Sequence, residues 1–231
     1  MNINHKLLFL GLITLLSLPS YAQSKYEFGT LPSFNLNKGL GNDWALNFSW
    51  QSRQIFSSGE FGGESRNEFD FELSDITLIT SKKVGLNNNI AAGYVVRFRS
   101  NEVIHRLTQR FTIVRKYTGF RLAHRFVTDQ TFSDDAETVY RLRYRMSIVA
   151  ALNGLSVDAQ EFYFKFNNEY LNSWEGEEND LEIRLIPLLG YVFNDNNKLE
   201  TGLDYRLDSF INEPGSDHVF WINIGWYYKI D

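Results

Sequence analysis

The chain of 231 residues contains no cysteine. That excludes a disulfide framework, a thiolate nucleophile and any Cys-ligated metal. Histidine is nearly as scarce. There are four, and beyond the first twenty-two residues only His105, His124 and His218 remain. No Gly-x-Ser-x-Gly elbow is present, so no local motif assembles a serine nucleophile. An excess of basic residues is missing too: the net charge is −5, which argues against a nucleic-acid partner. Proline is limited to four residues. The one long apolar run, Leu7 to Leu18, is shorter than the roughly 20 residues a membrane-spanning helix needs.

That run belongs to an export signal. Met1-Asn2-Ile3-Asn4-His5-Lys6 precedes it, and Ser20-Tyr21-Ala22 supplies small residues at −3 and −1 of a cleavage site. Residues 1–22 are therefore expected to be removed, leaving a chain that starts at Gln23. No Cys follows the site, so lipoprotein anchoring is excluded. If the exported chain enters a membrane, it does so as strands.

Strand signals fill the rest. Segments of 12 to 15 residues alternate with period two and are separated by turn residues. In Asp43 to Phe56, Trp44, Leu46, Phe48 and Trp50 share one face; Asn47, Ser49, Gln51 and Arg53 share the other. In Asn67 to Thr80 the apolar phase shifts between Leu73 and Ile76, which predicts a bulge near Ser74. The most regular segment sets Tyr140, Leu142, Tyr144, Met146 and Ile148 against Arg141, Arg143, Arg145 and Ser147. Pro187 weakens the strand from Leu181 to Phe193, because proline cannot donate to a ladder. Counting from Asp43 gives about ten strands, with twelve as the alternative. Tyr26 to Leu36 alternates weakly and contains Pro32, so residues 23–42 are expected to lie in the periplasm or the lumen, and 43–231 to form the barrel. Connections at 57–66, 132–137, 172–180 and 211–217 read as longer and polar. Those at 37–42, 82–88, 116–119, 152–154 and 195–198 read mostly as short turns.

Alternation does not say which face meets water. A soluble barrel puts the apolar face inside; a transmembrane one puts it outside. Long strands, aromatics near the ends of the apolar faces (Trp44, Phe98, Phe120, Phe126, Tyr140, Phe166, Tyr205, Trp226, Tyr228) and the C-terminal strand favour the second. The expected fold is an all-β, antiparallel, up-and-down transmembrane barrel. In the last strand, Asn223-Ile224-Gly225-Trp226-Tyr227-Tyr228-Lys229-Ile230 resembles the C-terminal targeting strand of bacterial outer-membrane barrels. That resemblance implies an assembly signal at Asn223, Gly225, Tyr228 and Ile230, read by the barrel-assembly machinery.

In that orientation the lumen is charged. Its network is expected to include Arg97, Arg99, Arg106, Arg110, Arg121, Arg125, Arg141, Arg143, Arg145, Glu161, Glu182, Arg184, Asp204 and Arg206. Basic residues on the strands between 104 and 148 would pair across the lumen with acids on other strands, either filling it or lining an anion-favouring pore. A small anionic solute is then a conceivable partner beside outer-membrane lipid. His124 falls by parity on the lipid side, where a polar ring is costly and a neighbouring Tyr could cover it. No catalytic residue, cofactor or metal ligand is selected. The alternatives are an outer-membrane lipid or peptide hydrolase or acyltransferase, and a soluble periplasmic barrel with an aromatic ligand pocket.

The blocks Arg121-Leu122-Ala123-His124-Arg125-Phe126, Tyr140-Arg141-Leu142-Arg143-Tyr144-Arg145 and Glu161-Phe162-Tyr163-Phe164 resemble the exported bacterial family filed as domain of unknown function 2490. The resemblance implies an outer-membrane barrel and supplies no activity or catalytic residue.

Overall fold

A computed structural model describes residues 24–100, 102–134, 136–209, 211 and 215–230. Residues 1–22, expected to be an export signal, and Asp231 lie outside the described residues. Eleven strands follow one another: β1 (Lys25–Gly41), β2 (Trp44–Glu60), β3 (Ser65–Val84), β4 (Asn88–Arg99), β5 (Glu102–Lys116), β6 (Phe120–Phe132), β7 (Val139–Ala151), β8 (Phe162–Glu175), β9 (Glu178–Asn194), β10 (Asn197–Asp208) and β11 (Asp217–Ile230). Each pairs with its sequence neighbours, and β1 pairs with β11, which closes the barrel. Closure leaves no unpaired edge. The described residues contain no helix.

The count of eleven corrects the expectation of ten or twelve. The extra strand is β1, a wall strand rather than a segment beneath or inside the barrel. Ten of the eleven junctions are antiparallel. With an odd number of up-and-down strands the first and last run the same way, so β1 and β11 pair in parallel, from Lys25↔Asp217 to Lys38↔Ile230. The two ends of the wall therefore lie at opposite rims, not at one. We call these the starting rim, where β1 begins, and the closing rim, where β11 ends.

Proline is tolerated because the ladder yields beside it. Pro32 is matched to Ile224 on β11, but on the β2 side the register jumps from Thr30↔Gln54 to Ser33↔Gln51. Pro187 pairs with Phe166, while the β10 ladder skips from Gly202↔Leu188 to Tyr205↔Leu185. A missing N–H costs little where no ladder bond is called for.

The bulge on β3 falls at Glu72, since Arg53 faces Leu73 and Gln54 faces Phe71. It reverses the phase two residues earlier than the apolar pattern implies. Phe71 points outward, 51% exposed, and Leu73 points inward, 1% exposed.

The connections also depart from the reading. Residues 57–60 and 172–175 continue their strands, so these hairpins close at 61–64 and 176–177. Gly62 and Gly176 take the left-handed φ values the tight turns need, +78° and +57°. Polar Ser, Gly and Glu remain in strands there because the two arms satisfy each other's backbone groups. At the closing rim the connection expected to be a short turn at 152–154 runs from 152 to 161. It is tied down by Gly119 N donating to Leu155 O at 3.1 Å and Gln160 N donating to Val192 O at 2.6 Å.

Candidate functional site

The outer wall is apolar around its circumference. Phe48, Trp50, Leu78, Tyr94, Leu107, Phe126, Leu142, Phe164, Leu189, Leu203, Ile224 and Trp226 are all more than a third exposed. The opposite faces of the same strands meet inside. Leu31, Leu73, Ile79, Val95, Val127, Leu171, Ile186, Leu188 and Trp221 are buried there, beside Asp75, Arg106, Asp129, Glu169, Glu200, Asp204 and Arg206. Between them lies a cavity of about 890 Å³. Its lining holds thirteen Lys and Arg against nine Asp and Glu. The chain as a whole carries a net −5, so the cavity has the opposite sign to the molecule.

Of the residues expected in a charged network, Arg97, Arg99, Arg106, Arg110, Arg125, Arg141, Arg143, Arg145, Glu182, Arg184, Asp204 and Arg206 line this cavity. Arg121 lines a second one of about 400 Å³, together with Leu155, Ser156 and Val157 of the 152–161 connection. Glu161 belongs to neither. It ends that connection, accepting from Asn153 Nδ2 at 3.1 Å and from the Asp158 amide at 3.3 Å. Its place is corrected from strand to loop because β8 begins only at Phe162.

The ion pairs run along the wall rather than across the lumen, which corrects the expected cross-lumen pairing. Arg97 grips Asp75 on the neighbouring strand with Nε at 2.8 Å and Nη2 at 2.7 Å. Arg206 does the same to Asp204 two residues away, at 3.0 and 2.9 Å. Glu169, 2% exposed, meets Arg145 at 2.6 Å, Arg184 at 3.2 Å and Arg143 at 4.0 Å. Arg184 also holds Glu182. Glu200, buried, accepts from Lys165 at 2.7 Å and from the Tyr163 hydroxyl at 2.6 Å. Arg53 reaches Glu72 at 3.3 Å and lies 5.8 Å from the ring centre of Trp221. The same strand, an adjacent one or, for Lys165 and Tyr163 with Glu200, the next but one brings such groups within a side chain's reach, whereas the lumen separates opposite walls. Buried charges pair with what is nearest.

Sequence reasoning missed Asp75, Asp129 and Glu169. The signal existed for each. Asp129 continues the inward row Arg125, Val127, and Glu169 continues Lys165, Asn167, each ahead of the connections read at 132–137 and 172–180. Asp75 lies just past the bulge.

His218 lines the main cavity, whereas His105 and His124 are not among its lining residues; each of the three is met by a tyrosine on a neighbouring strand. His105 Nδ1 lies 2.7 Å from Tyr94 Oη, His124 Nδ1 2.8 Å from Tyr144 Oη and His218 Nδ1 2.9 Å from Tyr205 Oη. The first two pairs are stacked at an interplanar angle of 15°. At His105 and His124 one hydrogen bond thus covers the polar edge of the ring. His218 Nε2 also meets Ser216 Oγ at 2.9 Å, but Tyr205 occupies the nitrogen that an orienting carboxylate would take. The same His–Tyr contact recurs on three pairs of strands, with a serine added at one.

In β11, Asn223 lines the main cavity and Tyr228 faces outward, 37% exposed. Ile230 pairs with Lys38. A Cβ on Gly225 would come within 3.1 Å of Ser33 Oγ.

Fold and interior together define a class: a closed β-barrel with an apolar outer wall and a charged internal cavity. A family model described as "Protein of unknown function (DUF2490)" matches residues 28–217. The chain belongs to that family. No curated protein matches the chain, and no solved structure does.

Proposed function

We propose that the protein is a transmembrane β-barrel of the bacterial outer membrane, enclosing a narrow, Arg-rich compartment. The observation that carries this reading is the inversion of the wall: large apolar side chains outside, ion pairs inside. A water-soluble barrel needs the reverse, since exposed apolar surface on this scale is not sustained in water. Strands of 12 to 20 residues exceed the 9 to 11 that a tilted span needs, so their ends project beyond the hydrocarbon. The closing rim faces the periplasm, where Asn223, Gly225, Tyr228 and Ile230 engage the barrel-assembly machinery during insertion. Outer-membrane lipid is the lasting partner of the wall.

The interior is not filled by its ion pairs. A compartment of about 890 Å³ with surplus cations suits small anions, and rings of charge select among ions by sign. The test is fractionation of the expressing cell, followed by gel migration of the membrane fraction with and without boiling. An outer-membrane band that shifts on boiling is expected. Recovery of the folded protein in the soluble periplasm, without detergent, would overturn the proposal. Planar-bilayer conductance then distinguishes a through-pore from a closed compartment.

A further inference from the structure

The ion pairs of the wall leave one group of cations out. Arg106 and Arg110 on β5, Arg125 on β6 and Arg141 on β7 all line the main cavity. Among the described residues none of the four has a carboxylate within ion-pair distance. Asp129, which stands between Thr108 and Arg141 in the register, lies within ion-pair distance of Arg143 alone among the described residues, at 2.5 Å, and neither of its oxygens has a hydrogen-bond partner there.

Two of the four are also crowded. Arg106 Nε and Arg141 Nη2 both donate to Thr131 Oγ1, at 2.9 and 3.0 Å. Two guanidiniums thus converge on one neutral oxygen. The Nε atoms of Arg110 and Arg141, and the hydroxyl of Thr108 between Arg106 and Arg110, are buried without a hydrogen-bond partner.

A guanidinium cannot shed its proton in a protein. A buried cation without a counter-charge is costly, and so is a buried donor without an acceptor. An anion with several oxygens answers both demands at once. The planar fork of arginine matches phosphoryl oxygens in pairs. We propose that this cluster binds a small, soluble phosphoryl oxyanion carrying two or more negative charges, held inside the barrel. The inference rests on the cationic-compartment reading and not on membrane insertion.

The probe is inorganic pyrophosphate, added to the purified full-length protein, with the thermal unfolding midpoint followed by tryptophan fluorescence. Succinate and chloride at equal ionic strength are the comparisons. Pyrophosphate is expected to raise the midpoint with saturation, succinate less and chloride hardly at all. R110Q and R141Q should unfold at or above the wild-type midpoint without added anion, because like-charge repulsion is relieved. Their apparent pyrophosphate affinity should fall about tenfold or more. A purely structural role would instead lower the anion-free midpoint. R66Q, on the exposed β2–β3 hairpin, should respond as wild type.

A pyrophosphate effect that chloride reproduces, or that both cluster variants retain, would overturn the proposal. If a variant does not fold, the three anions on the wild-type chain decide alone. A soluble protein that keeps the response would sink the membrane reading and sustain this site; a membrane barrel without the response would do the reverse.

Discussion

Glu169→Gln is expected to destabilise the barrel by about 3–5 kcal/mol, the usual cost of removing one partner from a buried pair. The carboxylate is 2% exposed and serves three guanidiniums. They do not lose equally. Arg184 keeps Glu182 and Arg143 keeps Asp129, whereas Arg145, at 2.6 Å, has no other carboxylate among the described residues. One orphaned cation, not three, sets the magnitude, which places the expectation at the lower end of that range. The asymmetry between removing one partner and removing both provides a check. Adding Arg145→Gln to Glu169→Gln should recover part of the loss, because the orphaned charge is then gone. Arg66→Gln supplies the contrast. Arg66 and Glu68 are 3.2 Å apart with side chains 65% and 56% exposed, so its loss should cost less than about 1 kcal/mol. The assay is urea unfolding of the folded barrel in lipid vesicles, followed by tryptophan fluorescence. A Glu169→Gln loss below about 1 kcal/mol, with no recovery in the double variant, would mean that the interior is hydrated enough to screen its charges. The argument for desolvated ion pairs would then fail.

Three further outcomes are expected. Gly190→Ala would place a Cβ 2.1 Å from Cζ of Tyr163, displacing the hydroxyl that donates to Glu200. A loss of about 1–3 kcal/mol is expected from such overpacking, and an unchanged urea midpoint would contradict it. Tyr144→Arg puts a charge on the outer face at mid-strand and removes the partner of His124. Folding into bilayers should weaken by about 2–4 kcal/mol, read by the fraction that shifts on the gel, while folding in detergent is less affected. Because the chain has no cysteine, single cysteines report topology cleanly. On intact cells Ser24→Cys should react with a membrane-impermeant maleimide and Leu86→Cys, in the turn between β3 and β4, should not. Equal labelling of both would refute an odd-stranded wall oriented as proposed.

How the interior would be wired was only partly legible. Alternation places a charged residue on a face, and it did so for Arg97, Arg141, Arg143, Arg145, Arg184 and Arg206. Partner choice depends on register, and register comes from hydrogen bonding between strands far apart in the chain. Arg145 meets Glu169 because β7 and β8 pair Arg145↔Glu169, which no count along either strand could show. Strand ends were the other gap. Polar residues at 57–60 and 172–175 read as loops by composition, yet two arms of a hairpin satisfy each other's backbone regardless of side-chain polarity.

The sequence by itself determined that the chain is all-β, that each strand has one apolar and one polar face, and that no thiol chemistry is available. Those are local properties, set by the period of side chains along an extended backbone. Only the tertiary structure decided that the wall has eleven strands. Lys25–Gly41 is weakly patterned and broken by Pro32, and it becomes a strand because β11 and β2 both present ladders to it. The tertiary structure also decided which arginines are neutralised and which four line the cavity without a carboxylate at ion-pair distance among the described residues. Charge compensation is a matter of distance in space, and period-two alternation carries no information about the neighbour across the strand.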